Sequence, residues 1–129
     1  MPKPLPRPTD AELAILRVLW EEGPATVRQV HEAMAGDRDT GYTTTLKLMQ
    51  IMAEKGLVTR DESSRTHVYA ARVSRDRTQR QLVNDLIDRA FGGSAAALVL
   101  QALSAQPTSE EELGEIRRLI DDYRRNRVR

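Results

Sequence analysis

GYTTTLKLMQIMAEKGLVTRDESSRTHVYA, residues 41–70, carries two hydrophobic periods in succession. Thr45, Leu48, Met49 and Met52 recur at i, i+3, i+4 and i+7, which places them on one side of a helix that Gly56 ends. Beyond Gly56 the period shortens. Residues 57–60 and 66–70 are short runs rich in β-branched side chains, and the polar turn 61–65 between them predicts a β-hairpin.

Upstream lie two more helix starts. Thr9 with Glu12 is a capping-box spacing, followed by Leu13, Leu16, Leu19 and Trp20, with Ile15 and Val18 beside them, until Gly23-Pro24. That predicts a helix over 10–22. Thr26 with Gln29 opens a second helix with Val27, Val30, Ala33 and Met34 inward, ended by Gly36. Three helices and a hairpin in this order predict a winged helix-turn-helix over 9–73, so the fold class is mainly α with a small β-hairpin. Residues 1–8, with proline at 2, 4, 6 and 8, predict an extended, solvated arm.

Downstream, Ser74 starts a helix to about 91 with Leu82, Val83, Leu86, Ile87 and Ala90 on one face, and Gly92-Gly93 breaks it. Ser94 caps a segment apolar nearly all round, which is expected to be buried. Ser109 and Glu112 cap a last helix with Leu113, Ile116, Leu119, Ile120 and Tyr123, and residues 124–129 read as a frayed basic tail. So small and apolar a unit buries too little surface alone. Stacking against a copy of itself predicts a homodimer with 74–129 as the three-helix dimerisation domain, using Leu82, Leu86, Ile87, Phe91, Leu98, Leu100, Leu113, Ile116 and Ile120. The alternative is packing of these helices on the N-terminal domain.

The composition excludes several function classes. The 129 residues hold 20 Lys plus Arg against 19 Asp plus Glu, a net charge of +1, so the chain is no polycation. The absence of cysteine rules out a disulfide scaffold, a thiol nucleophile and a zinc finger. His31 and Glu32 are adjacent and diverge on a helix, and no triad, metal motif or phosphate loop is present. No enzyme, metal or cofactor is therefore expected. With no apolar run long enough for a signal or a membrane span, a cytoplasmic protein without membrane insertion is expected.

Chemistry concentrates on the third helix. Opposite its apolar side lie Thr43, Lys47, Gln50 and Glu54, flanked by Thr44, Leu46 and Ile51, and residues 41–53 contain no carboxylate. Hydroxyls, an amide and one lysine near a helix start suit phosphate oxygens and base edges, and Leu46 and Ile51 suit thymine methyls. Arg28, in the first turn of the second helix, joins that helix's amides as a phosphate site. In the hairpin, Arg60, Arg65 and His67 suit a DNA backbone. Each has a plainer reading: the threonines cap, Tyr42 is a packing residue as readily as a contact, and Arg65 pairs with Asp61 or Glu62.

The segments TDAELAILRVLWEEGPATVRQVHEAM, GYTTTLKLMQIMAEKGLV and RTHVYAARVSR, with FGGSAAALVLQAL and SEEELGEIRRLIDDYR, resemble the penicillinase-repressor family of BlaI/MecI-like transcriptional regulators over about residues 9–124. The resemblance implies a homodimeric bacterial repressor of palindromic operators, often those of β-lactam-resistance genes. It also implies, in some members, a membrane-linked sensor-protease system, with the scissile bond carried over to Gln101-Ala102. Here the sequence departs from the Asn-Phe of the best-known members. An arginine common near Ile51 is absent, and Lys47 stands where threonine is frequent. The cysteines of copper-responsive relatives are missing. Two rivals remain: a winged-helix protein-interaction module that does not read DNA, and a regulator that senses a small ligand between its C-terminal helices.

Overall fold

Thr9 closes the start of the first helix as its spacing to Glu12 predicts. Its hydroxyl accepts from the Glu12 amide at 3.2 Å, and the Glu12 carboxylate accepts from the Thr9 amide at 2.9 Å. In the computed structural model, which describes residues 6–35 and 41–127, this box opens α1 (Asp10–Glu22). Thr26 and Gln29 repeat the device for α2 (Val27–Met34), at 3.1 and 2.9 Å. The third helix, α3 (Tyr42–Lys55), starts at Gly41 with no side-chain cap and ends at Gly56. Gly56 adopts φ +86, a left-handed conformation that lets the Leu57 amide reach back to the Met52 carbonyl at 2.9 Å.

That tight exit feeds the hairpin. Strand β1 (Val58–Asp61) pairs antiparallel with β2 (Val68–Ala71), Arg60 opposite Tyr69. Both strands sit one or two residues later than the apolar runs predict. Leu57 is consumed by the α3 exit, and Thr66 and His67 by the turn, where Asp61 accepts from the Ser63 amide at 2.9 Å and Ser64 donates to the Thr66 carbonyl at 2.8 Å. A third extended segment, absent from the sequence reading, completes the wing's base. Ala25 exchanges both backbone hydrogen bonds with Tyr69, at 2.9 and 2.8 Å.

The core fills the space between these elements. Ile15, Leu16, Val30, Met49, Met52 and Leu57 are fully buried, with Leu19, Val27, Met34, Val58 and Tyr69 nearly so. Each such side chain contributes about 1.5–3 kcal/mol. Of the four residues expected inward on α2, Val27, Val30 and Met34 are buried and Ala33 is exposed. Pro8 is buried and Pro6 half-buried, so the described end of the proline-rich segment is not solvated as expected. Residues 1–5, residues 36–40 with the helix end expected at Gly36, and residues 128–129 lie outside the described residues.

The chain divides into two compact units between Leu82 and Val83. The division falls inside α4 (Arg75–Ala90), a single uninterrupted helix. Gly92 and Gly93, both at positive φ, turn the chain into α5 (Ala95–Ala105), which Ser94 caps by accepting from the Ala97 amide at 3.1 Å. Ser109 and Glu112 form the expected box before α6 (Glu110–Arg127), which includes Arg124 to Arg127; those residues are helical rather than frayed. The expectation that α5 is buried fails in the single chain. None of its residues is buried, and Leu100 is 67% exposed.

Candidate nucleic-acid interface

Three successive threonines divide between two tasks. Thr45 turns inward, buried, and donates its hydroxyl to the Gly41 carbonyl at 3.3 Å. Thr43 and Thr44 point outward with Lys47 and Gln50, all exposed, while Leu46 and Ile51 are half-buried on the flanks. The helix starts at a glycine without a side-chain cap and carries no acid in its first turn, so no side chain of α3 itself offsets the partial positive charge at its N-terminus.

Beside that start, the second helix supplies a cation held in place. The Arg28 guanidinium lies 5.6 Å from the centre of the Tyr42 ring, and Tyr42, the first residue of α3, is exposed. His31, one turn after Arg28 on α2, meets the same ring edge-on with centroids 5.9 Å apart and an interplanar angle of 84°. Arg28, Tyr42 and the α3 N-terminus therefore form one contiguous surface. His31, expected to form no ligand pair with the adjacent Glu32, has its place in this cluster instead. Its spacing of three from Arg28 was the available signal.

The wing is less basic than its composition suggests. Arg60 pairs with Glu62 at 3.3 Å, and His67 Nε2 stands 4.0 Å from the same carboxylate. The hydrogen bond to Tyr69, then the neighbouring Glu62, holds the Arg60 guanidinium above its usual range, so it stays charged throughout. Asp61 is held below the usual carboxylate range by the Ser63 amide, which fixes the turn. Glu62, expected with Asp61 as a partner of Arg65, instead takes Arg60 and His67. Arg65 is exposed in the turn and forms no ion pair among the described residues.

The residues named for self-association fall on both sides of the division. Leu82 is half-buried in the first unit, in a groove shared with Leu13, Trp20 and Arg75. Ile87, Phe91, Leu98 and Ile116 are half-buried, and Leu86, Leu100, Leu113 and Ile120 are exposed. Residues 83–127 contain no buried residue at all. Gln101 and Ala102 are both exposed in the interior of α5, where the backbone is helical.

Known proteins are similar to this chain in sequence and in fold. The chain is 41% identical over 98 residues to the transcriptional regulator BlaI of Mycobacterium tuberculosis, covering 74% of this chain and 71% of that one. It is 20% identical over 122 residues to the penicillinase repressor of Bacillus licheniformis, covering 95% of each. Among solved structures, the DNA-binding domain of the repressor BlaI superposes with a TM-score of 0.50 at 20% identity, over 57% of this chain and 89% of that domain. The B. licheniformis BlaI monomer, solved in complex with the blaP half-operator, gives the same score at 19% identity over the same shares. The family model of the penicillinase repressor matches residues 8–122. With that match spanning both compact units, the chain belongs to the penicillinase repressor family.

Proposed function

We propose that the chain is a cytoplasmic transcriptional repressor that binds palindromic operator DNA as a homodimer and controls genes of β-lactam resistance or a related stress response. The exposed, acid-free start of α3 carries this reading. Thr43, Thr44, Lys47 and Gln50 enter the major groove, with Leu46 and Ile51 along the groove walls. Arg28, Tyr42, Arg65 and His67 hold phosphates, which set register without reading sequence. Family membership and the operator complex of the B. licheniformis relative support it.

Self-association is the second part. A segment of this length with no buried residue of its own gains a core from a second copy, through Leu86, Ile87, Phe91, Leu98, Leu100, Leu113, Ile116 and Ile120. Two heads so joined address half-sites about 34 Å apart, one helical turn. Cleavage at Gln101-Ala102 by a membrane-linked sensor protease would separate α6 from the head and release DNA through loss of the dimer.

The test is a salt-dependent mobility shift of a palindromic fragment from the gene's own upstream region, with sedimentation at micromolar concentration. Retarded migration that weakens with salt, and a dimer, are expected. A protein that leaves the fragment unshifted at low salt instead supports a winged-helix interaction module.

A further inference from the structure

Tyr42 stands where a helix does least to hold a side chain. Helical side chains lean back toward the N-terminus and lie on the turn before them. Tyr42 is the first residue of α3, directly behind Gly41, so no such turn precedes it, and it is 41% exposed. Among the described residues its ring contacts come from α2. The Arg28 guanidinium lies 5.6 Å from the ring centre, and the His31 imidazole meets the ring edge-on, with centroids 5.9 Å apart and an interplanar angle of 84°.

The two α2 residues are placed by the core beneath them. Val27, Val30 and Met34 are buried, which seats α2 in the head, and the Thr26–Gln29 box fixes the first turn, where Arg28 lies. Arg28 and His31, three residues apart, therefore share one side of α2. Their roles differ. Arg28 forms no ion pair among the described residues, so its charge is available to a phosphate. His31 is half-buried and gives the ring an edge-to-face partner, an arrangement that aromatic quadrupoles favour.

We propose that His31 is a positioning residue for operator binding: its edge-on contact holds the Tyr42 ring, and through that ring the Arg28 guanidinium, in the arrangement that meets a backbone phosphate beside the start of α3. The inference rests on the DNA-binding reading above and does not depend on the dimer. A side chain already held in its bound rotamer loses little freedom on binding, whereas an exposed ring that can swing must first be ordered, which lowers affinity. Without His31 the ring keeps one neighbour on α2 and can turn away, and Arg28 then loses the face it lies over. His31 acts through Tyr42, without a DNA contact of its own.

The test is a double-mutant cycle on the full-length protein, read by fluorescence anisotropy on one half-site of the palindrome, with a urea melt of every variant. His31→Ala should weaken half-site binding about three- to tenfold, the range that an edge-to-face aromatic pair supplies. His31→Gln, polar but without a ring, should lose as much, while His31→Phe, which restores the edge, should bind within about twofold of the wild type. In a Tyr42→Ala background, His31→Ala should cost less than about twofold more, because no ring is left to position. If His31→Ala fails to melt cooperatively, the Gln and Phe variants carry the comparison. Unchanged binding by His31→Ala, an equal loss in both backgrounds, or a loss that Phe does not restore overturns the inference. A Tyr42→Ala variant that binds as the wild type does removes Tyr42 from the interface and the inference with it. A wild type that leaves the half-site unbound at low salt sinks the DNA-binding reading itself.

Discussion

Lys55 Nζ, at the end of α3, grips both oxygens of Glu12 at the start of α1, 2.8 and 2.9 Å away. Glu12 is only 2% exposed, and the same carboxylate closes the α1 capping box. One buried acid therefore joins two helices of the head and satisfies the Thr9 amide.

Removing the partner should cost more than removing the acid's charge. Lys55→Met leaves a buried carboxylate without its cation and should lower unfolding free energy by about 2 kcal/mol in urea denaturation. Glu12→Gln retains an oxygen for the Thr9 amide and should cost about 1 kcal/mol. An equal or reversed order would show that the pair adds nothing beyond the cap.

The same pair sets an acid limit. Burial pushes the Glu12 carboxyl up, but the Lys55 ammonium and the Thr9 amide together outweigh it and hold it below its ordinary value of 4.5. A depressed carboxylate contributes stability that is complete above the unfolded value and is lost as pH falls through the lower folded one. In Lys55→Met the ammonium's lowering is lost, so the folded value rises and less of this stability remains. The penalty of Lys55→Met should be largest at neutral pH and shrink below about pH 4.5, read from paired melts across pH. A penalty independent of pH would contradict this.

Lys47→Ala should weaken operator binding and flatten the plot of log affinity against log salt by about one unit, as expected for one phosphate contact. If affinity and slope both stay at the wild-type values, Lys47 has no part in the interface.

Glu62→Gln should tighten operator binding by about two- to fivefold at low salt. It frees Arg60 and His67 from a shared carboxylate and removes an anion from the wing. The gain should fade at high salt in fluorescence anisotropy titrations. Weaker binding would place Glu62 in a positioning role instead.

Leu86→Asp should leave the head folded, because Leu86 is 47% exposed in the single chain. It should nevertheless give a monomer in sedimentation and cost about a hundredfold or more in operator affinity, since the second head no longer gains from effective concentration. A variant that still sediments as a stable dimer would move the interface elsewhere.

Much of the fold was legible because its signals are local. Thr9 with Glu12, Thr26 with Gln29 and Ser109 with Glu112 each encode a helix start within four residues, and all three helices begin where those spacings predict. The outward face of α3 was equally legible, since Thr45, Met49 and Met52 fix its rotation. What escaped depends on distant partners. The Ala25–Tyr69 bridge joins segments 44 residues apart, and Ala25 carries no strand signal of its own beside Pro24. The wing's charge was misjudged because strand register and turn shape, not spacing, bring Glu62 to Arg60 and His67. The burial expected for α5 failed for a different reason. An all-round apolar helix reports that a cover exists, and not which chain supplies it.

If residues 83–127, without a buried side chain among them, gain their core from a second copy, the two halves of the molecule obey different laws of stability. The head has its own interior, and its melting is indifferent to how much protein is present. In the dimeric reading, order in the second half is bimolecular: folding and pairing are one equilibrium, and dilution acts on it as a denaturant does. Occupancy of the operator then follows repressor concentration more steeply than linearly, so a modest drop in protein level derepresses before any chain has lost its ability to recognise DNA.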